Sequence, residues 1–366
     1  MRLVADSGLW STGSFAAPTP LLLVLEVSGA VLSWPVDDET ASPAMTFTDT
    51  RRADWLWRVL GESGHSMMAA AVEGQPPEGA RSIDLAGVDL QPGALDTVRR
   101  LAMGHWLRRW WPASHRDGIA ALDASLLAAE VALLTTEAQD FFTDETFDSD
   151  VAGLLAPHAS ALESLVREGD PRIVELVRAA VEMADDVGVA MVEPSPTPAR
   201  RADYALAAGP DLPRSGSGAI AQGTASLDWG RVPPGIFDAA EQTVSWRVDA
   251  DDEATNVTVR VELTGGGSAD GIPVRLRSGS LGGANVFDTE GRARFPLVGS
   301  GRQSVTELAA WNHDWRPTTV TVGADVDDFE ESAATRDRIR DIARARLAAP
   351  AGDAFLAEIL AAESDY

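Results

Sequence analysis

The chain contains neither cysteine nor lysine. Without cysteine there is no thiol nucleophile, disulfide, iron–sulfur ligand or thiolate zinc site. Without lysine there is no Schiff-base amine, no Ser–Lys dyad and no phosphate loop ending in Gly-Lys-Ser/Thr. Positive charge of any kind is scarce: 30 basic residues face 56 acidic ones, for a net charge of −26. The excess runs through both halves, with 13 basic and 29 acidic residues in 1–190 and 17 and 27 in 191–366. That balance excludes general attraction to nucleic acid or to anionic lipid, both of which need positive charge. Long apolar runs are missing too. Leu21–Val27 is short and broken by Glu26, and no window approaches the roughly 20 apolar residues of a spanning helix. The first residues lack the charged start and small-residue cleavage pattern of an export signal. A cytoplasmic protein with no membrane partner is expected.

What is present can build real cores: 45% of the residues are hydrophobic, and 366 residues is long for one domain, so two or three units are expected. Ser28-Gly29 between Leu21–Val27 and Ala30–Trp34 predicts a hairpin. A helix is predicted over Arg52–Leu60, stopped by Gly61 and Gly64, then a short buried run at Met67–Val72 and an alternating strand at Ile83–Leu90. Residues 1–92 therefore read as a small mixed α/β unit, with a helical region packed on it over 93–190. There Leu127, Val131, Leu134, Ala138 and Phe141 recur on one helical face behind Asp123 as N-cap. A third helix is predicted over 150–167. Asp170-Pro171 opens a fourth and Gly188 ends it.

Residues 191–239, rich in Pro, Gly and Ser, read as a linker. TVSWRV (243–248), NVTVRVEL (256–263), IPVRLRS (272–278), ARFPL (293–297) and TTVTVGA (318–324) read as strands at the spacing of an antiparallel β-sandwich over 240–326. Helices at 336–347 and 353–362 close the chain within 327–366. The fold class is α+β and multidomain.

Few constellations carry chemistry. The histidines, at 65, 105, 115, 158 and 313, never fall at metal-ligand spacing. Asp249–Glu253 and Asp325–Glu331 do not match a calcium loop. Asp144, Glu145, Asp148 and Asp150 lie between helices, where capping explains them. GSGAIAQG (216–223) has no strand before it to make a nucleotide loop, SGSLGG (278–283) reads as a loop of the sandwich, and no Gly-x-Ser-x-Gly occurs. No catalytic residue, metal ligand or cofactor is assigned.

The segment GHWLRRWWPASHR (104–116) gathers three Trp, three Arg and two His. Pro112 must end its helix near Trp111, placing Arg108 and Arg109 where cations complement the helix dipole. Trp106 and Trp110, four apart, should pack inward together. Trp111, His115 and Arg116 lie past the helix end and form an aromatic, cationic corner of the kind enriched at protein interfaces. They are the expected partner-binding residues.

Two resemblances extend this reading. DTEGRARF (288–295), an acidic turn with glycine followed by alternation into an aromatic, resembles the corner of prealbumin-like sandwiches, including carboxypeptidase-regulatory-like and collagen-adhesin B-type modules. It implies that fold over roughly 240–325 and a structural or interaction role. HWLRRWWPASHRDGIAALDASLLAAEVALLTTEAQDFF (105–142) resembles uncharacterised actinobacterial accessory proteins found near MoxR-type AAA+ ATPases and von Willebrand A-domain proteins, in regulatory or conflict systems. An all-arginine basic complement fits such a GC-rich coding sequence. The expectation is a non-catalytic adaptor or scaffold with such a protein as partner. The alternatives are a sensor binding a small ligand between the helical region and the sheet, and an enzyme with a carboxylate- or histidine-dependent site.

Overall fold

Antiparallel pairing organises every sheet of the computed structural model, which describes residues 1–73, 81–142, 148–186, 219–251, 254–325 and 331–364. The architecture is α+β, and the chain divides into two units. Unit 1 comprises residues 1–109, 122–199 and 345–366. Unit 2 comprises 110–121 and 200–344.

Unit 1 opens with β1 (Arg2–Asp6), β2 (Leu9–Ser11), β3 (Leu22–Val27), β4 (Ala30–Pro35), β5 (Ala44–Phe47) and, further on, β6 (Ser82–Asp84). They form one sheet in the order β3-β4-β5-β2-β1-β6. The Ser28-Gly29 turn sets the β3–β4 register, with Val27 opposite Ala30 and Leu23 opposite Trp34. Period-two alternation then buries Leu23, Leu25 and Val27 with Ala30, Leu32 and Trp34 on one face.

The expected helix 52–60 continues: α1 spans Leu56–Val72 and absorbs the run at Met67–Val72. Gly61, at φ 72°, interrupts the helical geometry, but the chain re-enters it and buries Met68 while Met67 faces out. Of the expected strand Ile83–Leu90 only the first residues pair. Gly87, at φ 76°, turns the chain, and Leu85 and Val88 are buried from a loop instead.

The helices α2 (Asp96–Trp110), α3 (Ala124–Phe142), α4 (Asp148–Leu155), α5 (Ala159–Glu168) and α6 (Pro171–Asp186) follow. Asp123 caps α3 as its position predicts, its Oδ1 accepting the N–H groups of Ser125 (2.8 Å) and Leu126 (3.0 Å). Asp170 does the same for Arg172 at the start of α6 (2.8 Å). The expected third helix is divided because Pro157 lacks an N–H and clashes with the preceding turn, leaving a 3₁₀ segment at Ala156–His158. The expected stop at Gly188 lies outside the described residues. Gly104 sits against neighbouring side chains: a Cβ there would lie 2.5 Å from Val131 Cγ2 and 2.9 Å from Phe355 Cζ, so α2 admits no side chain at this point.

Unit 2 carries β7 (Ala221–Ala225), β8 (Val244–Ala250), β9 (Thr255–Val261), β10 (Pro273–Ser278), β11 (Leu281–Val286), β12 (Arg292–Pro296), α7 (Glu307–Trp311) and β13 (Thr318–Val322). They make a four-stranded sheet, β12-β9-β8-β7, and a three-stranded one, β11-β10-β13. Two expectations need correcting here. Residues 191–218 of the linker region lie outside the described residues, but 219–239 is built into unit 2: β7 edges the larger sheet, and Trp229, Val232 and Phe237 are buried. AQGTA hides as a strand because it carries no large apolar residue; Gly223 lies flat on the Trp246 ring, where a Cβ would come within 2.7 Å. SGSLGG, expected as a loop, is a tight Gly279-Ser280 turn that starts β11 opposite β10. The last helices are α8 (Ala333–Ala348) and α9 (Leu356–Ser364), the latter in unit 1. No helix among the described residues is long and apolar enough to cross a membrane.

Candidate functional site

α2 ends at Trp110, ahead of Pro112. Trp106 is 3% exposed in unit 1 and donates its indole N–H to the Pro20 carbonyl at 2.8 Å. Trp110, expected beside it in the core, is half-buried. Residues 110–121 belong to unit 2 and are fastened by a carboxylate that no local signal marks. Asp238, 1% exposed, accepts Ser114 Oγ–H at 2.6 Å and the His115 N–H at 2.8 Å, and Ala239 donates its N–H to the Ala113 carbonyl at 3.0 Å.

The three expected partner-binding residues lie on this clasp. Trp111 is half-buried and donates its indole N–H to the Ala120 carbonyl at 2.8 Å. The His115 ring meets the Thr264 carbonyl at 3.0 Å. Arg116 reaches the Glu241 and Gln242 carbonyls and lies 3.5 Å from Glu262. Beneath them, Arg336 grips Glu241 with two bonds of 2.7 and 3.0 Å, and Arg340 joins Glu241, Asp117 and the Ala239 carbonyl. Burial alone would raise the Glu241 carboxyl, but the bonds and charge of Arg336, with bonds from Ser226 and Arg340, together outweigh it and hold the pKa down at about 2.

Two serine–histidine pairs escaped the sequence reading because their members are far apart. Ser278 Oγ lies 2.9 Å from His313 Nε2 and takes a further bond from Thr318. Ser125 Oγ lies 3.4 Å from His158 Nδ1, where burial and then Arg108 push the imidazole pKa down. Both serines are buried, so neither presents the accessible nucleophile that acyl transfer requires.

The acidic runs serve as internal acceptors where they are described. Asp249 pairs with Arg247, Asp251 with Arg294 and Asn256, and Asp325 with Arg275, while Glu331 accepts the Trp229 N–H. Asp144 and Glu145 lie outside the described residues, as do 252–253 and 326–330 and Gly216, Ser217 and Gly218 of the glycine-rich stretch. The same holds for the side chains of Asp148 and Asp150. Among the described residues no three His, Asp or Glu side chains are placed to hold a metal ion.

Unit 1 holds a buried ionic cluster at the start of α9. Glu358 accepts both Arg346 Nε (2.6 Å) and Nη2 (2.8 Å) and the Phe355 N–H, and Glu130 accepts the Leu356 N–H at 2.6 Å with Arg100 at 3.2 Å. Burial raises Glu130 from 4.5 to about 7, outweighing the Leu356 N–H and Arg100, with Glu358 adding to the rise. A carboxyl raised in the folded state stabilises fully below its unfolded pKa and loses that contribution as pH climbs through the folded one. Unit 1 should therefore lose stability through this group as the pH rises from 4.5 to about 7, by roughly 1 kcal/mol per pH unit. Glu130→Gln, which keeps an acceptor for Leu356, should remove that slope. Denaturation midpoints of both proteins measured from pH 4 to 8 check it; parallel pH curves would refute it.

The same unit has a cleft of about 560 Å³ where Phe15, Pro43, Met45 and Val88 meet the hydroxyls of Thr12 and Ser42. Unit 2 offers a different surface. On α7, Thr306 caps the N-terminus and Glu307 accepts the Trp311 indole N–H, while Leu308 is 73% and Trp311 53% exposed, one helical turn apart. Below them Trp315 donates to the Ala310 carbonyl and lies against Trp246, its ring centroid 6.2 Å away. The short AAWNHDW segment carries two tryptophans, but it is too short for a periodicity to mark which of them is exposed. In comparisons with known proteins the chain matches no family model, no curated protein and no solved structure.

Proposed function

We propose that the chain is a non-catalytic adaptor that works in the cytoplasm through protein–protein contacts, with the two sheets of unit 2 stacked as a prealbumin-like sandwich. The observation that carries this reading is the exposed Leu308–Trp311 pair on α7, held from below by the Thr306 cap and the Trp315 bond. An exposed tryptophan on a rigid support is the usual anchor of an interface, and filling a partner's apolar pocket with it is worth at least about 2 kcal/mol. The resemblance over 105–142 points to an AAA+ ATPase or a von Willebrand A-domain protein as that partner. The Trp111, His115 and Arg116 corner is a second contact in the same reading.

Co-purification from the native host followed by mass spectrometry tests both surfaces. Leu308→Ala with Trp311→Ala should lose the partner while the melting temperature stays within a degree or two, because both side chains are largely solvated. Trp111→Ala with Arg116→Ala should lose it likewise if that corner touches the partner. If instead this second variant keeps the partner and melts early, the corner is an internal clasp alone. Retention of every partner by both variants defeats the adaptor reading.

A second reading rests on the cleft in unit 1, whose mixed apolar and hydroxyl lining suits a small ligand and would make the protein a sensor. A melting-temperature rise with a small molecule, abolished by Met45→Trp, would favour it.

A further inference from the structure

The two ends of the unit 1 sheet are built differently. β6 is short, preceded by Arg81 and ending on Asp84, which is how proteins keep a sheet edge from pairing further. β3, at the other end, is LLVLEV: long, apolar, free of proline and bulges, and charged only at Glu26. Its register fixes which backbone groups are spent. The turn closes with Val27 opposite Ala30, and Val36 donates its N–H to the Leu21 carbonyl at 3.1 Å, so the odd-numbered residues bond to β4. The N–H and C=O groups of Val24 and Glu26 and the C=O of Leu22 therefore point away from the sheet, and the Leu22 N–H is taken by Thr19. No strand among the described residues lies beyond them. Val24 is 44% exposed on the outward face.

We propose that this edge pairs with the same edge of a second copy, antiparallel and centred on Val24, joining two sheets into one across a two-fold axis. In that register Val24 exchanges both backbone bonds with its counterpart, and each Glu26 N–H reaches the other copy's Leu22 carbonyl. The charge pattern selects it. Antiparallel pairing sets Glu26 opposite Leu22 and holds the two Glu26 residues about 13 Å apart, beyond a Debye length at physiological salt. Parallel in-register pairing would place the two carboxylates side by side. The contact is narrow, at the low end of specific interfaces, so the dimer is a weak one that forms as protein concentration rises. This assembly is independent of the α7 surface in unit 2.

Sedimentation equilibrium of the full chain from about 5 to 200 µM reads the result directly. The wild type should fit a monomer–dimer equilibrium. Val24→Pro, which deletes an N–H that no strand among the described residues uses, and Val24→Lys should both stay monomeric with an unchanged melting temperature. Because the chain has no cysteine, introduced thiols report register. Oxidised Val24→Cys should give a covalent dimer and Glu26→Cys should not, since Cα atoms more than about 7 Å apart cannot be bridged. A wild type that stays monomeric throughout overturns the proposal, including the case in which a foreign strand occupies the edge instead. So does a dimer that survives both Val24 variants, or equal cross-linking at positions 24 and 26.

Discussion

Glu358→Ala should destabilise unit 1 by about 3–5 kcal/mol, the cost of breaking a buried ion pair from one side. Glu358 is 0% exposed and neutralises Arg346, which is itself buried and has Asp353, 3.6 Å away, as a further carboxylate. The same carboxylate accepts the N–H of Phe355 at the start of α9, the reciprocal half of a capping box. Alanine thus leaves a guanidinium and a helix N–H without their acceptor. Glu358→Gln keeps one acceptor and should cost roughly half as much. Replacing both partners, Arg346→Met with Glu358→Leu, should cost less than Glu358→Ala alone, because no charge is left stranded. Guanidinium denaturation of the three variants decides the matter. If the double variant is the least stable, the pair itself, and not the stranded charge, dominates.

Trp106→Ala should cost about as much, 3–5 kcal/mol, for a different reason: it empties a large volume in a close-packed interior. The indole is buried, and its N–H satisfies the Pro20 carbonyl next to the sheet, so the truncation also strands an acceptor. Trp110→Ala, at a half-buried position, should cost clearly less. Equal losses at the two positions, measured by chemical denaturation, would contradict this difference in burial.

Local chemistry was readable in the sequence wherever neighbouring residues produce it. The Ser28-Gly29 hairpin, the Asp123 and Asp170 caps and the end of α2 before Pro112 all depend on residues within one turn of each other. Elements that owe their state to distant partners were not readable. β7 is a strand because Gly223 covers Trp246, and β11 is one because β10 lies beside it; neither has apolar alternation of its own. The missing strands β1, β2 and β5 are short and are completed by pairing across the sheet. The site was less legible still. Asp238 looks like any surface aspartate until Ser114 and His115 are brought to it, and the exposure of Leu308 and Trp311 follows from α7 lying on the surface, which no periodicity over so few residues announces.

Ser114 and Asp238 stand 124 positions apart in the chain, yet they share one buried bond. During synthesis residues 110–121 therefore leave the ribosome long before the carboxylate they serve exists, and they wait undocked while the helices of unit 1 are made. Unit 2 is in this sense written in two places. A gene fragment beginning after residue 200 encodes its sheets but omits the donors for Asp238, so the boundary that matters for expressing either unit alone is set by that aspartate and not by the proline-rich stretch in the middle of the sequence.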